Sequence, residues 1–364
     1  MEKSSGYFPN LNGVRFIAAL MVIISHIELN KSYFDYSNSF QTIKCLGKLG
    51  VSLFFVLSGF LITFLLLQEK KDRKKINLKF FYFRRVLRIW PLYFLIVIVS
   101  LFVLPHLEIF NIPNLKLEYS SSTEFFKVLL LLVFFLPNVL IIIKLIPFAT
   151  QTWSIGTEEQ FYLIWPILIS KTNHLKRYFL GIILLYNLVL IFMYNSSLDH
   201  IMYIKLIRGY IETIQLDSLT FGALGAYFLF HKNKLIDVIT NNYIFCLSIS
   251  LLIISQIFDS YIIYFKTSLS AVFFIIIILN LVHNKNIARL LENRFFYKMG
   301  EISYGLYMYH QIVIVFFINC FIRMNFFSNS VLYIFTFAAT ILVSHLSYKF
   351  FEKPFILKKE KYKF

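Results

Sequence analysis

Apolar runs long enough to cross a bilayer recur along this chain almost from end to end. A crossing helix needs about 20 mostly apolar residues, and a water-soluble globule could not bury so many such runs. Of 364 residues, 58% are hydrophobic and only 15% charged, against about 25% charged in a soluble domain. The mean hydropathy is +0.70. A soluble enzyme, a disordered chain and a secreted disulfide scaffold are thereby excluded, and the expected fold is an all-α polytopic membrane protein. Cys45, Cys246 and Cys320 are few, odd in number and far apart, which suggests neither a disulfide framework nor a metal site. The eight histidines show no HxxH or HExxH spacing, so no metal is expected. A net charge of +17 could suggest nucleic acid, but no soluble module is left to bind it, and basic residues in a membrane protein mainly set orientation.

Spans are expected near 12–30, 46–67, 89–106, 157–170, 178–194, 210–230, 242–257, 261–282, 302–320 and 328–350. The stretch from Trp153 to Gln160 is read as a buried re-entrant lead into the fourth. The first run lacks a basic leader and a small-x-small cleavage site, so it is read as a span and not a signal peptide. Residues 124–145 are apolar enough to cross but carry Lys127, Pro137 and Lys144. Counting them as a crossing would put Lys171, Lys176, Arg177 and the tail Lys358, Lys359, Lys361 and Lys363 outside, against the positive-inside rule. They are therefore expected to form a re-entrant or interfacial hairpin near 124–150. This leaves ten spans with both termini cytoplasmic, roughly 24 Lys and Arg on inner segments and roughly 8 on outer ones. The whole chain, 1–364, reads as one membrane domain with a basic tail at 356–364. The segment from Gln68 to Arg88 reads as an inner loop with nine basic residues, most of them topology signals facing anionic headgroups.

Ionisable groups inside spans cost several kcal/mol unless paired or hydrated, so each is a functional candidate. Arg15 and His26 are eleven residues apart, about 16 Å along a helix and three turns plus about 20° around it, on one side. Arg15 could simply snorkel and His26 sit wet at the helix end. Alternatively His26, an imidazole titrating near neutral pH, is a general base for an acceptor hydroxyl. In FYFRRVLRIWPLY, Arg85 and Arg88 share a helix face near Trp90 and Tyr93. They could anchor the helix, or bind the phosphates of a cofactor approaching from inside. In QTWSIGTEEQFYLIWP, the adjacent Glu158 and Glu159 could be first-turn acids capped by Thr157. Glu158 could instead orient His26 and stabilise its imidazolium, as a triad carboxylate does. Weaker signals are the small residues of GVSLFFVLSGFLIT, Asp217 and Arg208 flanking an outer helix start, His310 in ISYGLYMYHQ, and His345 with Glu352 near the last span's inner end. A lone His such as His310 is more often a packing residue than a catalyst.

Six segments, LNGVRFIAALMVIISH, GVSLFFVLSGFLIT, FYFRRVLRIWPLYF, WSIGTEEQFYLIWP, ISYGLYMYHQ and FEKPF, resemble in order the signatures of acyltransferase family three. The resemblance runs from about Leu11 to Phe355. It implies ten spans in an integral inner (plasma) membrane protein and an acyl-CoA donor, usually acetyl-CoA, entering from the cytoplasm. It also implies an acceptor hydroxyl on a surface polysaccharide or an exported small molecule. The family's basic-residue-then-ten-then-histidine pattern falls on Arg15 and His26, its paired arginines on Arg85 and Arg88, and its Trp-to-Glu motif on Trp153 to Glu158. Ile155, Gly156 and Thr157 vary the usual middle of that last motif. No hydrolase-like domain follows the last span, so a stand-alone form is expected.

The expected activity is transmembrane O-acyl transfer. His26, Glu158 and Arg15 are the catalytic candidates, and Arg85, Arg88 and Tyr93 the donor-binding candidates. Trp153, Glu159, Asp217 and His310 would support substrate or structure. Because no Ser or Cys pairs evidently with His26, direct transfer is favoured over an acyl-enzyme. The rival readings are a secondary transporter exporting a glycan or anionic metabolite, and a scaffold without activity. Against the first stands the lack of internal repeat symmetry; against the second, the presence of His26, the paired arginines and Glu158 together.

Overall fold

The computed structural model describes residue 8 and residues 10–36, 43–115, 121–143, 146–194, 201–257, 265–359 and 362. Among them there is no strand, and most lie in helices. In order the helices are α1 (Leu11–Tyr33), α2 (Lys44–Arg73), α3 (Leu78–Phe102), α4 (Ser122–Val133), α5 (Pro137–Ile143), α6 (Trp153–Lys171) and α7 (Leu175–Met193). Then follow α8 (Met202–Ile214), α9 (Leu216–Phe230), α10 (Lys234–Ile239), α11 (Asn242–Ile257) and α12 (Lys266–His283). The last are α13 (Lys285–Ala288), α14 (Arg294–Glu301), α15 (Ser303–Arg323), α16 (Asn329–Ser347) and α17 (Lys353–Lys359). Seven described stretches are long and apolar enough to cross a membrane: α1, α2, α3, α7, α12, α15 and the run from Asn329 to Lys358. The chain is an all-α polytopic membrane protein, as its hydropathy demands. Of the other three expected spans, α6 has 19 residues but carries two adjacent glutamates, while α9 and α11 have 15 and 16 residues.

Several local expectations are revised. The inner loop expected from Gln68 to Arg88 is almost wholly helical: α2 runs to Arg73, the chain turns at left-handed Lys74 (φ 62°), and α3 starts at Leu78. Asn77 caps α3, its Oδ1 accepting from Phe80 N at 3.1 Å, so Arg84, Arg85 and Arg88 stand on a rigid helix. The expected 210–230 span is broken at Gln215, left-handed at φ 41°. Its Oε1 accepts from Ser52 at 2.6 Å, which offsets the cost of that backbone. The segment from Trp153 to Gln160 forms the first two turns of a continuous α6, with nothing in it to break a helix. Thr157 is no cap but donates back to Trp153 O at 3.4 Å. The expected hairpin takes the form of two short helices, α4 and α5, of 12 and 7 residues, turning at left-handed Phe135 (φ 56°). At 1.5 Å per residue neither can cross a bilayer. Lys144, Lys361, Lys363 and residues 261–264 lie outside the described residues.

The chain divides into two compact units. The first comprises residues 1–18, 49–76 and 161–301. Here α2 and α9 touch backbone to backbone: a Cβ on Gly59 would stand 1.9 Å from Leu219 O, and one on Gly222 2.0 Å from Val56 O. This is small-residue packing, the usual means of close helix association in lipid. Nearby, Trp165 Nε1 donates to Thr63 Oγ1 at 2.8 Å and its ring stacks on Phe179.

The second unit comprises residues 19–48, 77–160 and 302–364. In it α15 packs along α16, and α3 against α17. Gly156 lets α6 press on the α4–α5 turn, where a Cβ would meet Pro137 Cδ at 2.7 Å and Phe135 O at 2.9 Å.

Candidate active site

The second unit gathers residues from four of the sequence motifs around α15. Three tyrosines on that helix each reach another segment. Tyr304 donates to Ile89 O on α3 at 2.9 Å, and Tyr307 donates to Gln151 O at 2.9 Å. Tyr309 donates to Ser347 Oγ at 2.9 Å, which in turn donates to Glu352 at 3.1 Å. Since the one Tyr307 hydroxyl proton goes to a carbonyl, Ser154 is the donor in its 2.7 Å contact with the Tyr307 oxygen. Gln151, fully enclosed just before α6, donates to Phe148 O and Met308 O at 2.7 and 2.9 Å.

His26 lies on the same helix as Arg15, as the spacing requires. Its Nδ1 is 2.6 Å from His310 Nε2, and the two rings lie edge to edge, their centroids 4.9 Å apart and their planes 22° from parallel. His310 Nδ1 is 2.5 Å from Tyr307 O. Gln311 Nε2 is 2.8 Å from His26 Nδ1, and Gln311 Oε1 accepts from Asn30 at 2.7 Å. Asn30 also donates to His26 O, one turn back, at 2.8 Å. His310 is completely buried, whereas His26 keeps part of its surface open. Beside His26, α2 contributes Gly47, where a Cβ would lie 4.0 Å from the ring. Sequence reasoning gave the place against the His26 ring to Glu158 and treated His310 as support. The atoms that meet Nδ1 belong to His310 and Gln311.

The paired arginines stand on α3 with carboxylates within electrostatic range, Glu159 acting with Arg85 and Glu352 with Arg88. Glu159 Oε2 accepts from Trp90 Nε1 at 3.1 Å, and its buried Oε1 has no hydrogen-bond partner among the described residues. Tyr93 is fully buried, donates to Leu132 O at 2.8 Å and stacks on Phe135, so its hydroxyl ties α3 to the hairpin. Trp153 opens α6.

Two polar clusters escaped sequence reasoning. Glu28 and Lys31 form a fully buried ion pair at 3.1 Å, and Tyr333 donates to Glu28 at 2.9 Å. Asn30 and Gln311 join the His26 network described above. The available signal was the same in each case: polar residues in otherwise apolar helices, at Glu28, Asn30 and Lys31 and in the His310–Gln311 step.

In the first unit, Arg15 Nη1 donates to Asn12 at 3.0 Å. Asp217 accepts from Thr267, Ser268 and the Ser218 amide at 2.7–2.8 Å, and Ser268 also reaches Asn187 at 2.9 Å. That carboxylate ties α9 to α12, and Ser268 carries the network on to α7. Among the described residues no group of three His, Cys, Asp or Glu could hold a metal.

Residues 8–349 match the family described as an acyltransferase domain, acyltransferase family 3. The chain is 29% identical over 388 aligned positions to the Staphylococcus aureus (strain COL) protein named "Putative O-acetyltransferase SACOL0978", covering 97% of this chain and 58% of that protein. It is 28% identical over 381 positions to O-acetyltransferase OatA of Staphylococcus aureus (strain NCTC 8325 / PS 47), covering 96% and 57%. The chain thus spans less than two thirds of the length of these relatives. No solved structure matches it. With its family match extending over almost every helix described above, the chain belongs to acyltransferase family 3.

Proposed function

We propose that this protein is a multi-pass O-acyltransferase of the inner (plasma) membrane. It moves an acyl group, acetyl in the first instance, from cytoplasmic acyl-CoA to a hydroxyl of a surface polysaccharide or exported small molecule. The observation that carries the reading is His26, partly open on one side and held at Nδ1 by His310 at 2.6 Å. A histidine held through one nitrogen presents the other as a general base. Its Nε2 takes the acceptor hydroxyl proton, the oxygen attacks the thioester carbonyl, and the carbon–sulfur bond breaks. The sulfur leaves as CoA thiol after taking the proton back. Arg15, on the same helix, is the candidate for stabilising charge near the thioester, and Glu158 a candidate for supporting the imidazolium.

The phosphorylated end of the donor docks on Arg85 and Arg88. Each already acts with a carboxylate, Glu159 or Glu352, so phosphate binding competes with those side chains. In this reading the chain forms one membrane domain of ten spans, α6, α9 and α11 completing the count, with both termini cytoplasmic. The test uses purified protein in liposomes with labelled acetyl-CoA and an envelope-glycan extract, following free CoA and base-labile acetate. Wild type transfers acetate, and a correctly inserted His26→Ala variant does not. Wild-type turnover by that variant would refute His26 as base.

A further inference from the structure

The side chains around His26 leave few choices for where protons sit. Carbonyl oxygens accept and never donate, so His310 Nδ1, 2.5 Å from Tyr307 O, carries a proton. By the same rule the Asn30 amide directs its NH2 group at His26 O. That NH2 also lies 2.7 Å from Gln311, which must answer with Oε1 and so turns its own NH2 towards His26 Nδ1, at 2.8 Å. Between these two anchored ends, 2.6 Å separates His26 Nδ1 from His310 Nε2, a distance that one bridging proton must occupy.

A neutral pair of histidines has two ring protons, and one is committed to Tyr307 O. If the second sits on His26 Nδ1, it opposes the Gln311 N–H. If it sits on His26 Nε2, two lone pairs oppose each other across the 2.6 Å contact. A third proton removes both conflicts. His310 Nε2–H then bridges to His26 Nδ1, which also faces the Gln311 N–H, and His26 Nε2 keeps a proton of its own. A buried charge costs much less when hydrogen-bonded, and here both N–H groups of His310 have acceptors.

We propose that His26 and His310 act as one base that takes up a single proton, with His310 as the positioning residue that draws it away from the reacting nitrogen. The inference rests on the reading of His26 as base given above. The acceptor O–H bond breaks and its proton goes to His26 Nε2, while the Nδ1 proton passes to His310 Nε2. The oxygen's electron pair forms the C–O bond, and the C–S pair leaves with sulfur. The protons then retrace the path, His26 Nε2 delivering one to the thiolate. His310 is fully enclosed, so it acts through His26. A neutral imidazole in the orienting place also avoids the permanent negative charge that a carboxylate would put inside a span.

The test compares His26→Ala, His310→Gln and Gln311→Leu in the liposome assay, with 15N-histidine NMR of the wild type. Glutamine at position 310 can hydrogen-bond but cannot take a proton. The expected result for His310→Gln is a kcat about 100-fold lower, with KM for acetyl-CoA changed less than twofold and an unchanged elution profile. A two-bond 15N–15N coupling between His26 Nδ1 and His310 Nε2 is expected in the wild type, and a shared proton is what would produce it. Wild-type kcat in His310→Gln beside an inactive His26→Ala, or no such coupling, would overturn this inference and leave the base reading standing. Activity in His26→Ala would overturn both. Should His310→Gln fail to fold, Gln311→Leu decides: it keeps both rings and is expected to lower kcat about tenfold, and a wild-type value would overturn the inference.

Discussion

Replacing Gly222 by alanine tests whether the backbone contact of α2 with α9 is as close as described. The new Cβ would stand 2.0 Å from Val56 O and 2.8 Å from Phe60 N, both backbone atoms that cannot rotate away. Real Cβ contacts are essentially never under 3.0 Å, so the helices must part by at least about 1 Å. A gap of that size forfeits up to half of each affected dispersion well. Over about 50 atom pairs at ~0.15 kcal/mol, a leucine-sized patch, losing a third costs about 2.5 kcal/mol. Alanine's better helix propensity returns about 1 kcal/mol, leaving a net loss of about 1.5 kcal/mol. With an unfolding entropy of about 2.1 cal/mol/K per residue over 364 residues, this is a fall in Tm of about 2 °C. The internal control is Gly181→Ala on α7, where nothing lies within 4 Å of the new Cβ; its Tm should hold or rise. Gly59→Ala should resemble Gly222→Ala, and the double variant should lose less than the two together, because helices already parted accommodate the second methyl. The assay is thermal unfolding by circular dichroism in one detergent. Equal Tm values for Gly222→Ala and Gly181→Ala would refute the packing argument.

Two further outcomes are expected. Lys31→Met removes the ammonium 3.1 Å from the buried Glu28 carboxylate and should destabilise by about 3–5 kcal/mol, whereas Lys31→Met with Glu28→Gln should recover most of that; a thermal-melt double-mutant cycle with no coupling would count against the pair. Glu159→Gln removes the charge that acts with Arg85 and should lower KM for acetyl-CoA about threefold, roughly 0.7 kcal/mol, with kcat nearly unchanged; an unchanged or higher KM in liposome kinetics would contradict donor phosphates competing with Glu159.

Much of the architecture is legible in one dimension, because bilayer thickness and backbone hydrogen bonding leave so few ways to thread a chain through lipid. Long apolar runs become helices, and the eleven-residue step from Arg15 to His26 lies on one continuous helix. Proline, two lysines and parity of charge mark 124–145 as something other than a plain span, and two short helices occupy it. The break at Gln215 was not legible. Nothing local demands a left-handed glutamine there, and its partner Ser52 is 163 residues away.

The same division runs through the candidate site. Hydropathy and helical period say which residues are too polar to be idle in a span, and they single out His26, His310, Glu159 and the paired arginines. They cannot say which of these meet, because the choice of partner depends on how helices distant in sequence pack, and packing is settled by shape at contacts such as Gly156 on Pro137 and Gly305 on Ser344. His26 thus finds His310, 284 residues on, rather than a partner that could be named from spacing. Composition and period, properties of the chain itself, carried the membrane fold and part of the roster of polar residues, with Glu28, Asn30, Lys31 and Gln311 left out of it. The pairing of those residues, and the proton positions that follow from it, arise only when α1, α15 and the turn before α6 are brought together in space.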